Sequence, residues 1–142
     1  MVRLLDKNEI PAAIELVWQV FSEFEAPDYL PEGVETFRDF ITNSEEINNL
    51  KIYGAFIEGN LAGIIAVRGG AHICLFFVKK EYHRQGIGRS LFEAALLDGA
   101  ADKITVNSSP YAVEVYRRLG FVDANTEQVL NGIRFTPMVF KR

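Results

Sequence analysis

The chain has little cysteine, no excess of basic charge and no long apolar run. Its single cysteine, Cys74, cannot form a disulfide within the chain, and its place in an apolar run is typical of a small buried residue rather than a nucleophile. A formal net charge of −4 at pH 7 disfavours a general nucleic-acid-binding protein, which normally has a basic surface. No apolar run reaches the roughly 20 residues that a membrane-spanning helix needs, so we expect no membrane partner.

The length and composition favour one globular unit. The 142 residues fit a single domain, residues 1–142, and the proportions of 49% hydrophobic and 24% charged residues are far from those of disordered chains. The first residues lack the apolar region and cleavage site of an export signal, which predicts a cytoplasmic protein.

Hydrophobic periodicity predicts helices and strands in a mixed order. Helical spacing of apolar residues occurs within 10–21, 34–41, 85–99 and 110–119. Strand-like runs occupy 2–5, 52–57, 61–67, 73–78, 103–106, 121–122, 128–130 and 133–140. Turn residues at 58–60 and at Asn131-Gly132 are typical of hairpins. We therefore predict a mixed α+β fold with a mostly antiparallel, twisted sheet of about six to seven strands and about four flanking helices.

One glycine-rich segment joins a predicted buried strand to a predicted helix and reads His-Arg-Gln-Gly-Ile-Gly-Arg-Ser over residues 83–90. The first amides of a helix have no partner within it, and with the helix dipole they attract anions, phosphate above all. Gly86 and Gly88 let an anion approach the backbone, while Arg84 and Arg89 add positive charge. Similar segments also occur in ordinary strand-to-helix loops, so both interpretations stay open at this point.

The wider pattern resembles the GNAT superfamily of N-acetyltransferases over roughly half of the chain. The resemblance is carried by Leu75-Phe76-Phe77-Val78, by residues 82–89, by Asn107 and by Tyr116-Arg117-Arg118-Leu119-Gly120-Phe121. It implies the GNAT-like fold, whose element order matches the predicted one, and acetyl-CoA as co-substrate with no metal. The residues that it implies at the cofactor are Phe76, Val78, His83, Arg84, Gln85, Gly86, Ile87, Gly88, Arg89, Ser90, Asn107 and Ser109.

By the same resemblance, Tyr116 would be the general acid that protonates the departing thiolate of CoA. A phenol with a pKa of about 10 can hydrogen-bond the developing sulfur anion of a thiol with a pKa of about 8.5 and hand over a proton. The alternative is an aromatic residue at the core edge of an amphipathic helix. The Leu119-Gly120-Phe121 that follows favours the catalytic role.

His83 departs from the family pattern, in which Arg or Gln starts the pyrophosphate signature. A neutral imidazole offers one donor and no charge, so the turn would depend more on Arg84, Arg89 and the backbone amides. Two alternatives are open for the His83 side chain, namely contact with phosphate and exposure to solvent.

The family does not fix the general base, and His72 is the first candidate. Strict alternation would place His72 on the same face as Cys74, Phe76 and Val78, so that it points into the cofactor cleft. The alternative is a structural histidine that makes hydrogen bonds beside a glycine turn.

Candidate acceptor-binding residues lie in two further segments. Asp28, Tyr29 and Glu32 belong to the helix-to-helix turn that in this fold commonly closes over the acceptor. Arg68 either binds a substrate carboxylate or caps the sheet edge. For each of the loop residues, the alternative interpretation is a position in an exposed loop stiffened by proline, with no role in binding.

The leading functional interpretation is direct transfer of an acetyl group from acetyl-CoA to an amino group of a small molecule or peptide in a ternary complex. A non-catalytic acyl-CoA-binding or regulatory module is the alternative, and Tyr116 argues against it. A dinucleotide site is disfavoured because Gly86-Ile87-Gly88 lacks the third glycine of that pattern. The acidic balance weakly favours a cationic amine, and the last hairpin could offer an edge to a second copy in a homodimer.

Overall fold

Eight strands form the sheet of the computed structural model, which describes residues 1–142. The strands are Val2–Leu4 (β1), Leu50–Ile57 (β2), Asn60–Arg68 (β3), His72–Val78 (β4), Lys103–Ser108 (β5), Val122–Asp123 (β6), Gln128–Leu130 (β7) and Ile133–Lys141 (β8). Their order is β1-β2-β3-β4-β5-β8-β6, with β7 paired to β8, and only β4 and β5 run parallel. The predicted mixed, mostly antiparallel fold is confirmed. Each of the eight predicted strand-like runs forms a strand, and the sheet exceeds the expected six to seven strands because the short β6 and β7 both pair with β8.

Five helices flank the sheet: Ile10–Phe24 (α1), Pro31–Thr42 (α2), Ser44–Asn48 (α3), Ile87–Asp98 (α4) and Val113–Leu119 (α5). The helix that the sequence did not predict is α3, a short turn capped by the Asn43 side chain, which accepts a hydrogen bond from the Glu46 amide. None of the helices combines the length and the apolar character that crossing a membrane would require.

Two hydrophobic clusters, one on each face of the sheet, hold the helices in place. Val17 and Phe21 of α1 pack in the cluster that includes Leu75 of β4. Leu91 of α4 and Tyr116 of α5 pack in the other cluster, against the opposite face. The sheet therefore separates an α1–α2 side from an α4–α5 side.

A β-bulge interrupts β4 at Cys74. Leu75 pairs with Ala66 and Ile73 pairs with Val67, so Cys74 has no residue opposite it on β3. An extra residue in one strand reverses the alternation of side chains from that point onward.

The bulge changes the face on which His72 lies. Ile73 and Phe76 both pack against the α4–α5 cluster, although three positions separate them. Because neighbouring residues in a strand point to opposite faces, His72 lies on the α1–α2 side, away from Phe76 and Val78. The predicted shared face of His72, Phe76 and Val78 is therefore wrong.

The parallel strands β4 and β5 pair only over two residues, the first two of β4 and the third and fourth of β5. His72 pairs with Thr105 and Ile73 pairs with Val106, and no pair follows. Residues 75–78 continue to pair with β3 on one edge, while Asn107 and Ser108 pair with β8. The sheet is thus open between β4 and β5 beyond the bulge, and we call this opening the gap. Backbone polar groups along an open strand edge need partners from solvent or from a ligand.

Candidate functional site

A cavity of about 140 Å³ occupies the gap between β4 and β5. Glu25 and Tyr29 line it from the α1–α2 side, whereas Tyr116 lines it from the α4–α5 side. Phe76 of β4 and Asn107 of β5 form the walls between them. The cavity therefore passes through the sheet and brings two helical layers into contact with the same space.

The glycine turn lies where β4 ends and α4 begins. The helix starts at Ile87, two residues later than predicted, because Gly86 before it has a left-handed backbone with a φ of 80°. Arg84 is also left-handed, with a φ of 63°. A Cβ on Gly86 would meet no atom within 4 Å, so the glycine is required by its conformation rather than by crowding.

The backbone amides of the turn have no partners within the protein. None of the six consecutive N–H groups from residue 84 to residue 89 donates a hydrogen bond, and the next amide, that of Ser90, donates to the Gly86 carbonyl. Consecutive free amides in such a turn form a concave anion site, and the positive end of the α4 dipole reinforces it. The turn therefore fits a pyrophosphate group.

The side chains of the turn are mostly occupied elsewhere. The Arg89 guanidinium donates to the Arg118 carbonyl at the end of α5, at 3.0 Å. The side chains of Gln85 and Ser90 donate to backbone carbonyls of the turn and of the residues before it. Arg84 is exposed and makes no hydrogen bond, so it is the side chain of this turn that is free to reach a bound anion.

The His83 side chain is half-buried rather than fully exposed to solvent, and its contact with phosphate stays a prediction. Its Nε2 donates to the Val78 carbonyl at 2.7 Å, which fixes the proton on Nε2 because a carbonyl oxygen only accepts. The half-buried ring lies 5.4 Å from the Phe24 ring. His83 thus fastens the turn to the end of β4 and to the end of α1.

Tyr116 is buried on α5 and lines the cavity. Its ring lies 5.8 Å from the Phe76 ring and 5.3 Å from the Phe121 ring. Gly120 ends the helix with a left-handed φ of 107°, which folds Phe121 back onto Tyr116. Burial, followed by the charge of Glu25 and then Tyr29, raises the pKa of the Tyr116 phenol. The hydroxyl therefore stays protonated and can act as a donor.

Glu25, which was not among the residues predicted from the sequence, caps the C-terminal end of α1. Its carboxylate lines the cavity and makes no ion pair. Burial raises the pKa of this carboxyl to about 7, the Ser109 hydroxyl lowers it by hydrogen bonding, and the nearby Asp28 raises it. The sequence could have indicated this residue, because a carboxylate at the negative end of a helix dipole is electrostatically unfavourable and is therefore a candidate for a functional role.

Of the other predicted cofactor and acceptor residues, some line the cavity and some do not. Asn107, Ser109 and Tyr29 line it. Glu32 is exposed on the first turn of α2, and Arg68 is exposed at the end of β3, both outside the cavity wall.

His72 also lies outside the cavity wall. Its Nδ1 is 2.8 Å from the Thr105 hydroxyl, the residue with which it pairs in the sheet. Burial, together with the charge of Arg68, lowers the pKa of His72 and keeps the imidazole neutral. The contacts of His72 are those of a structural histidine.

The hairpin of β7 and β8 reaches the cavity through Ile133. Its predicted tight turn at Asn131-Gly132 is confirmed, since Leu130 pairs directly with Ile133. The Gly132 carbonyl accepts a hydrogen bond from the Leu30 amide at 3.3 Å. A Cβ on Gly33 at the start of α2 would lie 2.1 Å from that carbonyl oxygen, so only glycine allows this contact.

A larger cavity of about 350 Å³ lies at the opposite end of α4. Its polar groups are partnered with one another, because Tyr53 and Lys51 both donate to the Asp98 carboxylate. It borders neither the gap nor the free amides of the glycine turn, so the cavity in the gap is the better candidate site.

The family model described as an acetyltransferase (GNAT) domain matches residues 25–142. No curated protein matches the chain at a significant level. The match therefore covers the gap, the glycine turn and α5.

Solved structures of the same fold extend over the whole chain. A GCN5-related N-acetyltransferase from Rhodopseudomonas palustris shares 20% identity, with a TM-score of 0.83 over 100% of this chain and 95% of its own. The PaiA N-acetyltransferase from Thermoplasma acidophilum, in complex with coenzyme A, shares 19% identity, with a TM-score of 0.79 over 100% of this chain and 98% of its own. A GNAT family acetyltransferase from Elizabethkingia anophelis with acetyl-CoA bound shares 14% identity, with a TM-score of 0.66 over 100% and 97%.

Proposed function

Since the chain belongs to the GNAT acetyltransferase family, we propose that it transfers the acetyl group of acetyl-CoA directly to an amino group of a small molecule or peptide, in a ternary complex. The observation that carries this proposal is that three features follow one another along the open edge of β4. Free amides at residues 84–89 lie where β4 ends, the gap leaves one edge of β4 open, and Tyr116 lines the cavity within the gap.

The chain would hold acetyl-CoA mainly through its backbone. The amides of residues 84–89 would bind the pyrophosphate, with Arg84 adding charge at the rim. The open edge of β4 at Phe76 and Val78 would pair with the amides of the pantetheine arm, which need partners once they leave water. When bound, acetyl-CoA supplies an acetyl group on a thioester whose sulfur leaves as a thiolate.

Tyr116 would be the proton donor to that sulfur. Its raised pKa keeps the phenol protonated up to the moment of transfer, and the rings of Phe76 and Phe121 hold it at the cavity wall. Direct transfer needs no nucleophilic side chain. Burial raises the pKa of Cys74, the thiol at the cavity wall, which disfavours a thiolate there.

The acceptor would enter from the α1–α2 side as a cationic amine. Glu25 is the carboxylate of the cavity wall, and no Lys, Arg or His lines that wall. A cytoplasmic location and a homodimer through the last hairpin stay predictions of the sequence.

The test measures release of the CoA thiol from acetyl-CoA in the presence of each of a panel of primary amines. CoA binding is measured separately by calorimetry. We expect CoA to bind and at least one amine to stimulate thiol release and to be recovered as its acetamide. CoA binding without thiol release from any amine would favour the non-catalytic acyl-CoA-binding module. The absence of CoA binding would contradict both functions.

A further inference from the structure

Two proton-exchanging side chains face the cavity from opposite sides of the sheet. Tyr116 reaches it from α5, and Glu25 reaches it from the end of α1. Each is close enough to the other for the charge of Glu25 to act on the Tyr116 phenol. The cavity therefore has a proton donor on the cofactor side and a carboxylate on the acceptor side.

We propose that Glu25 is the general base of the reaction, taking the proton from the acceptor ammonium on the α1–α2 side of the gap. This inference rests on the proposed function. It replaces His72, which lies outside the cavity wall and has Nδ1 at the Thr105 hydroxyl.

Apart from the hydrogen bond with the Ser109 hydroxyl, the Glu25 carboxylate has no polar partner in the protein. It makes no ion pair, and the residues around it in the cavity are largely aromatic, with Tyr29 and Phe37 on its own side. An ammonium group entering this space meets one carboxylate and no competing cation. The position therefore binds the charged form of an amine and then removes its proton.

The titratable groups that face Glu25 come from three directions. They are Asp28 and Tyr29 on the following loop, Tyr111 before α5, Tyr116 on α5 and Cys74 on β4. None of them is a cation, so nothing among them holds the carboxyl ionised at low pH. Burial raises the pKa of Glu25 to about 7, which suits a group that must both accept and release a proton near neutrality.

The proton balance of the step is complete. Glu25 takes one proton from the acceptor ammonium, and the freed lone pair forms the new N–C bond as the C–S bond of the thioester breaks. Tyr116 gives its proton to the departing sulfur and recovers the second nitrogen proton through water. An ammonium and a thioester become an amide and a thiol, and the proton left on Glu25 passes to solvent.

The decisive experiment compares ethylamine with trifluoroethylamine, a similar amine that is mostly neutral at neutral pH and so needs no base for its first deprotonation. In Glu25→Gln, we expect kcat/KM for ethylamine to fall by about 10²-fold or more. We expect the loss for trifluoroethylamine to be roughly tenfold smaller, because only the step assigned to Glu25 distinguishes the two amines. CoA affinity by calorimetry should be unchanged. The matched control is His72→Gln, which should leave the ratio of the two amines as in the wild type.

A second measurement needs no acetyl-CoA. An NMR titration of labelled glutamate carboxyl carbons in the free protein should show one carboxyl with a midpoint near 7, and this signal should be missing in Glu25→Gln. An ordinary midpoint for Glu25 would overturn the proposal.

The kinetic outcomes test the role of Glu25 separately from the proposed acetyl transfer. Equal losses for both amines in Glu25→Gln, or a changed ratio in His72→Gln, would overturn the role of Glu25 while leaving acetyl transfer intact. No thiol release by the wild type with any amine would overturn the proposed function and the base with it, and the NMR midpoint would still report the carboxyl separately.

Discussion

The two sides of the gap are built from different parts of the chain. On the α4–α5 side, six consecutive backbone amides and one strand edge offer the binding groups. On the α1–α2 side, the groups are side chains from α1, the loop after it and the β7–β8 hairpin. A site made of backbone depends on turn geometry and tolerates changes of side chain. A site made of side chains depends on each residue and on how distant segments meet.

After that of Glu25, the largest effect should come from Tyr116, which lines the cavity from the α4–α5 side. In Tyr116→Phe, we expect kcat to fall by about 10²-fold with little change in CoA affinity, because the proton donor is lost while the amides of the turn remain. Tyr111→Phe is the matched control, since Tyr111 is exposed and lies outside the cavity wall. An equal fall in kcat for both variants would contradict the specific role of Tyr116.

The next effect concerns the glycine contact that holds the hairpin against α2. In Gly33→Ala, the new Cβ would lie 2.1 Å from the Gly132 oxygen, so the hairpin must move. We expect the acceptor KM to rise by about tenfold and the free energy of unfolding to fall by about 1–3 kcal/mol, with CoA affinity unchanged.

The matched control is Gly59→Ala, at a hairpin turn with a φ of 81° and no atom within 4 Å of its new Cβ. It should cost about 1 kcal/mol through its left-handed backbone and leave the acceptor KM as in the wild type. A rise in the acceptor KM in both variants would remove the special role of the Gly33 contact.

A third prediction uses the pH dependence of stability. Burial raises the pKa of Glu25 from 4.5 to about 7 in the folded chain. A raised carboxyl pKa contributes stability that is present below the unfolded value and lost as the pH rises through the folded value. Relative to Glu25→Gln, the wild type should therefore lose about 1–3 kcal/mol between about pH 4.5 and 7.5. Urea unfolding at several pH values measures this, and parallel curves for the two proteins would contradict it.

The smallest effect is expected at His83. In His83→Ala, loss of the hydrogen bond to the Val78 carbonyl should lower the free energy of unfolding by about 1 kcal/mol. CoA affinity should change by less than about threefold, because the free amides supply the anion site. A large loss of CoA affinity without loss of stability would show that the His83 side chain contacts the phosphate after all.

Sequence reasoning predicted the features that depend on neighbours in the chain. The strand, glycine turn and helix around Gly86 follow from local hydrophobic spacing and from a residue that adopts positive φ without strain. Gly120 before Phe121 and the Asn131-Gly132 turn were predicted for the same reason. The α+β fold also followed from the order of elements, which local patterns set.

The features that sequence reasoning missed depend on distant contacts. The extra residue at Cys74 is visible only against the register of β3, and it moves His72 to the other face. Glu25 was missed because it shares the cavity wall with Ser109 and Tyr116, which lie some 90 residues later in the chain. The two alternatives for His83 both overlooked the carbonyl of Val78 as a partner.

By itself, the sequence determined the strand-to-helix turn with its glycines, the helix that carries Tyr116 and the order of elements, because backbone conformation and hydrophobic period are local properties. Only the tertiary structure decided which side chains share the gap. Pairing register, the bulge at Cys74 and the contact of Gly33 with Gly132 are set between segments far apart in the chain. Those contacts place Glu25 at the cavity wall and leave His72 outside it.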